Sequence, residues 1–167
     1  MSEQSGQMTN GDAPGATVAT ASTVPPERTV RSWMTPNPYT CAVETTLADA
    51  SDILDEHGFR RLPVLDEAGL LAGIISRSDL RSASPSSITS LSLFEVNYMW
   101  AKLTVSDVMA TELITIGPDD SMKSAAELML ANKVSSLPVV KTANEGEGHH
   151  LVGILTETDI LRYLVGL

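Results

Sequence analysis

Several absences narrow the chemistry before any motif is read. Cys41 is the only cysteine among 167 residues, so no intrachain disulfide can form and nothing signals an oxidising compartment. Basic side chains are few: 11 Lys and Arg against 21 Asp and Glu leave a net charge of -10. The average surface therefore repels a phosphate backbone and an anionic membrane, and nucleic acid is disfavoured as a partner. No apolar run approaches the roughly 18 to 20 residues of a membrane span, and no basic start leads into a signal-type apolar stretch. A cytoplasmic chain with no membrane partner is expected. The sequence also lacks both G-x-x-x-x-G-K-[ST] and G-x-G-x-x-G, so it offers no apparatus for hydrolysing a bound nucleotide.

What is present is a repeat. Hydrophobic residues make up 43% of the chain, enough to build a core. A shift of 75 places Met34 on Met109, Thr40 on Thr115, Ala50 on Ala125 and Pro63 on Pro138 without a gap. The shift becomes 80 for "GIISRSDL" and "GILTETDI", because the second copy carries five extra residues in the polar loop "KTANEGEGHH". Residues 1–28, rich in Ser, Thr, Gly, Ala and Pro without an apolar period, read as a disordered tail. The expected organisation is one unit at 29–83, a helical linker at 84–103 and a second unit at 104–167.

Each unit reads as strand, helix, strand, strand, helix. Leu47, Ala50, Ile53 and Leu54 share one helical face, Asp49, Asp52, Asp55 and Glu56 lie opposite, and Thr46 with Asp49 is spaced as a capping box. The counterpart helix runs from Ser121 to about Asn132. "FRRLPVLD" and "LLAGIIS" form a hairpin around Glu67, Ala68 and Gly69. Short helices follow, from Arg77 to about Ala83 and from Glu157 to Val165. A lone unit of about 55 residues is marginal, so the copies are expected to pack face to face around one shared core, as a pseudo-twofold α/β (α+β) module. In the linker, Leu93, Phe94, Val96, Met99, Trp100 and Leu103 recur at near-helical spacing. They suit a helix packed on its own module or a surface for a second subunit.

Ser76 with Asp79, and Thr156 with Asp159, both fit the capping box [ST]-x-x-[DE], which alone accounts for a hydroxyl and an aspartate. A helix start also leaves N-H groups and a positive dipole end pointing outward, where an anion such as phosphate binds. An aspartate three residues on accepts the hydroxyls of a ribose. Pro63 lacks an N-H and is expected at an edge or a strand end; an edge there leaves backbone near Arg60 to Leu62 free to pair with a base.

The ordered pairs "VRSWMT" and "VSDVMA", "RRLPV" and "SSLPV", "GIISRSD" and "GILTETD" resemble a pair of cystathionine-β-synthase (CBS) domains, a Bateman module, over about residues 29–167. The linker is similar to that of small bacterial CBS-pair proteins of the acetoin-utilisation type; these often carry a further C-terminal domain, which this sequence does not show. The resemblance implies two β-α-β-β-α units packed through their sheets, with AMP, ADP, ATP or S-adenosylmethionine in two clefts between them. It implies no catalysis, but regulation such as energy sensing, in a homodimer that signals to an unidentified partner protein, with Mg²⁺ accompanying ATP. One cleft would combine Ser76, Ser78 and Asp79 with Ile114, Val134, Ser135, Ser136 and Pro138. The other would combine Thr156, Thr158 and Asp159 with Tyr39, Phe59, Arg60, Arg61 and Pro63. The arginine pair makes this second cleft the expected site for a di- or triphosphate. The alternative is a nucleotide-independent dimerisation or interaction protein.

Remaining candidates read as structure. Asp49, Asp52, Asp55 and Glu56 suit a solvated helix face rather than a metal site. His149 and His150 suit a polar loop, and Met122 and Met129 core filling. Cys41 has no nearby His to activate it.

Overall fold

A computed structural model describes residues 28–83, 95, 98, 100–142 and 148–166. The expected tail, apart from Arg28, and most of the expected linker helix lie outside them. The element order is α1 (Val30–Trp33), β1 (Thr35–Pro36), β2 (Cys41–Ala42), α2 (Leu47–Glu56), β3 (Arg61–Leu65), β4 (Leu71–Ser76) and α3 (Arg77–Ala83). After a short 3-10 turn at Val105–Asp107 come α4 (Met122–Asn132), β5 (Ser136–Thr142), β6 (His149–Thr156) and α5 (Glu157–Val165).

Local chemistry sets these boundaries. Thr46 Oγ1 accepts the Asp49 N-H at 3.1 Å and opens α2, and Ser121 Oγ accepts the Ser124 N-H at 3.0 Å and opens α4. Leu47, Ala50 and Leu54 are buried along α2, as are Met122, Ala125 and Met129 along α4. The hairpin between β3 and β4 closes as its sequence predicts: Asp66 Oδ1 accepts from the backbone N-H of Ala68 and Leu70, and Gly69 takes φ +77°. Alternation along β4 buries Leu71, Gly73 and Ile75 on one face.

The strand order departs from two separate units. The sheets run β2-β3-β4 and β1-β6-β5, so β1 of the first repeat completes the second repeat's sheet, with Thr35 opposite Ile154. Reciprocally, Ala110 bridges Ile74, the two N-H groups donating at 2.9 and 3.0 Å. Two core clusters result rather than the single shared core expected. Val105 of the second repeat packs into the cluster of Leu47, Leu54, Leu62 and Ile75. Val30 of the first packs with Met122, Met129, Leu137 and Leu155. In the linker, Glu95, Tyr98 and Trp100 are helical, and Trp100 and Leu103 pack on the first cluster.

The exchange explains the glycine in both copies of the repeated motif. A Cβ at Gly73 would collide with the Met109 side chain and lie 3.0 Å from the Ala110 carbonyl oxygen. At Gly153 it would collide with Met34 and lie 3.1 Å from the Thr35 carbonyl oxygen. Each glycine is bare so that the opening segment of the other repeat can cross the strand.

Candidate functional site: two clefts where the repeats meet

β4 and β6 each end in a hydroxyl that starts the following helix. Asp79 Oδ2 accepts from the Ser76 N-H at 2.8 Å and from its hydroxyl at 2.6 Å. Asp159 Oδ2 accepts from the Thr156 N-H at 2.8 Å and from its hydroxyl at 2.7 Å. Both pairs form the capping interaction their spacing suggests. Around these helix starts lie two cavities of about 510 and 230 Å³.

The larger cavity receives Thr156 and Thr158 from the second repeat and Tyr39, Phe59, Arg60, Arg61 and Pro63 from the first, all expected at one site. Asp159, expected with them, does not line it: the residue is 6% exposed, and its second oxygen is approached by Arg162 at 3.4 Å. The wall also contains Asn37, Gly58, Ser135, Ser136 and Glu157. Tyr39 and Phe59 belong to an aromatic cluster with His57, whose ring centroid lies 4.2 Å from Tyr39 and 5.2 Å from Phe59. His57 carries no signal in the sequence, because its ring meets Phe59 two residues on and the more distant Tyr39 only through the turn after α2.

The smaller cavity contains Ser76, Asp79, Ile114, Val134, Ser136 and Pro138 as expected. Ser78 is exposed and does not line it, and Ser135 faces the larger cavity instead. Glu112 and Arg61 join its wall. Glu112 stands at the position equivalent to Asn37 under the shift of 75, and neither residue carries a signal in the sequence alone. Arg61 was assigned to one cleft and occupies both. Its Nη1 donates to Ser135 Oγ at 2.5 Å and to Ser136 Oγ at 3.0 Å, across the line where the repeats meet.

Pro63 does not mark an edge strand, because β3 is the middle strand of its sheet. Only Val64 and Leu65 pair with the two-residue β2, which leaves the Arg61 to Pro63 stretch without a β2 partner on the cleft side. Arg77 anchors the loop that carries Phe59 and Arg60. It donates to the Phe59 carbonyl at 2.7 Å and the Leu54 carbonyl at 2.6 Å, and it pairs with the Asp55 carboxylate. Met122 and Met129 are buried, and Asp52, Asp55 and Glu56 are exposed, as the sequence suggests; His149 and His150 instead open β6, paired with Thr142 and Lys141, rather than lying in a loop. Cys41 is buried, which pushes its thiol up to about 11, so it is a protonated core side chain at neutral pH. Among the described residues no cluster of three or more His, Cys, Asp or Glu is placed to hold a metal, and no helix is long and apolar enough to cross a membrane.

Two repeats that exchange their opening segments and enclose a pair of clefts define a tandem α+β module. The chain belongs to the CBS domain family, whose model matches residues 30–86 and 105–166. It is similar to a Vibrio cholerae protein assigned to acetoin utilization (AcuB), at 28% identity and a TM-score of 0.66, over 83% of this chain and 90% of that one. It is also similar to Arabidopsis thaliana CBSX2 in complex with AMP, at 28% identity and a TM-score of 0.67, covering 83% and 97%. The CBS domain pair of MJ0100, in complex with 5'-methylthioadenosine and S-adenosylmethionine, matches at 28% identity and a TM-score of 0.65, covering 83% and 96%. Among curated relatives, the uncharacterized protein MJ1225 of Methanocaldococcus jannaschii is 32% identical over 124 residues, 70% of this chain. The chain spans only 40% of that protein's length, and about a fifth of the homoserine O-acetyltransferase and inosine-5'-monophosphate dehydrogenases it also matches.

Proposed function

We propose that the protein is a regulatory module, without chemistry of its own, that binds an adenine nucleotide in the larger cleft and passes the resulting change of shape to another protein. The observation that carries this reading is the composition of that cleft. At about 510 Å³ it falls within the roughly 300 to 1,000 Å³ of ordinary ligand pockets. An aromatic wall of Tyr39 and Phe59 suits a base, the start of α5 at Thr156 and Thr158 suits hydroxyls, and Arg60 and Arg61 suit phosphates. The AMP held by CBSX2 and the adenosine compounds held by MJ0100 support the ligand class.

The module would work by differential affinity: a ligand that touches both repeats favours the arrangement in which both contacts are made, and only by that preference. A ribose role for Asp159 would require its second oxygen to leave Arg162, whereas Thr158 and the arginines already face the cleft. Mg²⁺ would accompany ATP as a partner of its phosphates. The assembly we expect is a homodimer in the cytoplasm. Thermal unfolding of the full chain with AMP, ADP, ATP or S-adenosylmethionine tests the reading. A ligand at one hundred times its dissociation constant adds about 2.7 kcal/mol, raising Tm by roughly 5 to 10 °C for a chain this size. Arg60→Gln should reduce that rise for phosphorylated ligands without lowering the unliganded Tm. Absence of any shift at millimolar ligand would sink the nucleotide reading and leave a protein that acts through its surface.

A further inference from the structure

Arg61 and Ser136 are equivalent positions of the two repeats. Each stands at the start of its strand, Arg61 opposite Ser76 and Ser136 opposite Thr156, and both line both cavities. A symmetric chain would set two arginines against each other there. This one carries one arginine and two serine hydroxyls that accept from it. The same asymmetry recurs at the next pairs of equivalent positions: Arg60 against Ser135, and Asn37 against Glu112. The larger cleft thus has Arg60 and Arg61 against Glu157, whereas the smaller has Asp79 and Glu112 against Arg61 alone.

We propose that Arg61 divides the clefts by ligand charge: the larger takes a phosphorylated nucleoside, and the smaller takes an uncharged nucleoside at the same time. This rests on the adenosine-binding reading above and goes beyond it in assigning the second site. A phosphate beside Arg60 draws the Arg61 guanidinium into the larger cleft, where a planar cation binds it with paired hydrogen bonds. The smaller cleft then keeps two carboxylates with no cation, and a second phosphate entering it meets like charge on both sides. An uncharged nucleoside meets no such penalty. Its base has Ile114, Val134 and Pro138 to lie against, and its hydroxyls can donate to Asp79 Oδ1, which has no partner among the described residues. The volume agrees, since about 230 Å³ lies below the usual lower bound of roughly 300 Å³ for drug-sized ligands and suits a ligand without phosphates.

Equilibrium dialysis of the full chain against AMP and adenosine, with each bound ligand quantified separately by chromatography, tests the division. The expected result is one AMP per chain with AMP alone, and one AMP plus one adenosine from a saturating mixture. Glu112→Gln, an exposed change that does not threaten folding, should admit a second AMP at least tenfold more tightly than the wild type does. Arg61→Gln should weaken the first AMP about tenfold or more, the loss of a charge-assisted contact. Two AMP sites of equal affinity in the wild type, displacement of AMP by adenosine mole for mole, or an unchanged second AMP in Glu112→Gln would each overturn the division while leaving nucleotide binding intact. Retention of neither ligand would overturn the nucleotide reading and the division with it.

Discussion

Gly73 and Gly153 show how much a single missing side chain can carry. Each lies in the middle of a strand, where glycine ordinarily weakens pairing. Each is also crossed by a methionine and a backbone carbonyl from the other repeat. A methionine tip moves aside at modest cost, but the carbonyls of Ala110 and Thr35 are fixed by antiparallel bridges. Gly73→Ala is therefore expected to destabilise by about 1 to 3 kcal/mol, the range for overpacking. Met109→Ala in the same chain should recover only part of that loss, since it clears the side chain and leaves the carbonyl. Urea unfolding of the single and double variants checks this, and full recovery would mean that the carbonyl contact is unimportant. The glycine was visible in the sequence as a repeated letter. Its reason was not, because Met109 and Gly73 meet only through the exchange of opening segments, which no local pattern encodes.

At the level of elements, legibility followed periodicity and short-range chemistry. α2, α4, the β3-β4 hairpin and the starts of α3 and α5 lie where alternation, helical spacing and [ST]-x-x-[DE] put them, because those signals arise between residues a few positions apart. The strand order and the reach of Arg61 into both clefts depend on how two similar units meet, whereas Asp159 is held out of its cleft by Thr156 and Arg162 of its own helix. Its carboxylate is committed to the Thr156 N-H and hydroxyl, so replacing it removes a helix cap whether or not a ligand exists. Asp159→Ala should lose about 1 to 2 kcal/mol of stability, as cap removal does elsewhere. Asp159→Asn keeps an acceptor for the Thr156 N-H and should lose less than half as much. Denaturation in the absence of ligand separates the two, and equal losses would show that the charge rather than the acceptor matters. Only the asparagine variant is then a fair probe of ribose binding.

At the scale of the whole molecule, the two repeats differ in the exposed apolar side chains of α4 and α5. On α5, Leu161, Leu164 and Val165 are 61%, 69% and 67% exposed, at a spacing that sets them in one stripe. Leu130, on α4 packed beside it, is 79% exposed. Shifting back by 80 or 75 finds Arg81, Ser84, Pro85 and Asp55 at the equivalent positions, so the first repeat carries no apolar counterpart. A symmetric dimer buries the same patch on both subunits, and one such patch per chain gives a closed pair rather than a filament. The sequence directed attention to the aromatic linker for this role, and Leu93, Phe94, Val96 and Met99 lie outside the described residues; the four residues on α4 and α5 form an exposed apolar patch across two adjacent helices. Light scattering behind size exclusion should give twice the chain mass for the wild type at tens of micromolar. Leu161→Glu with Leu164→Glu should give the mass of one chain, with helix content and adenine-nucleotide binding retained, since neither residue lines a cleft. A wild type that runs as a single chain would leave the stripe free for a different protein. A double variant that stays dimeric would instead place the contact elsewhere on the surface.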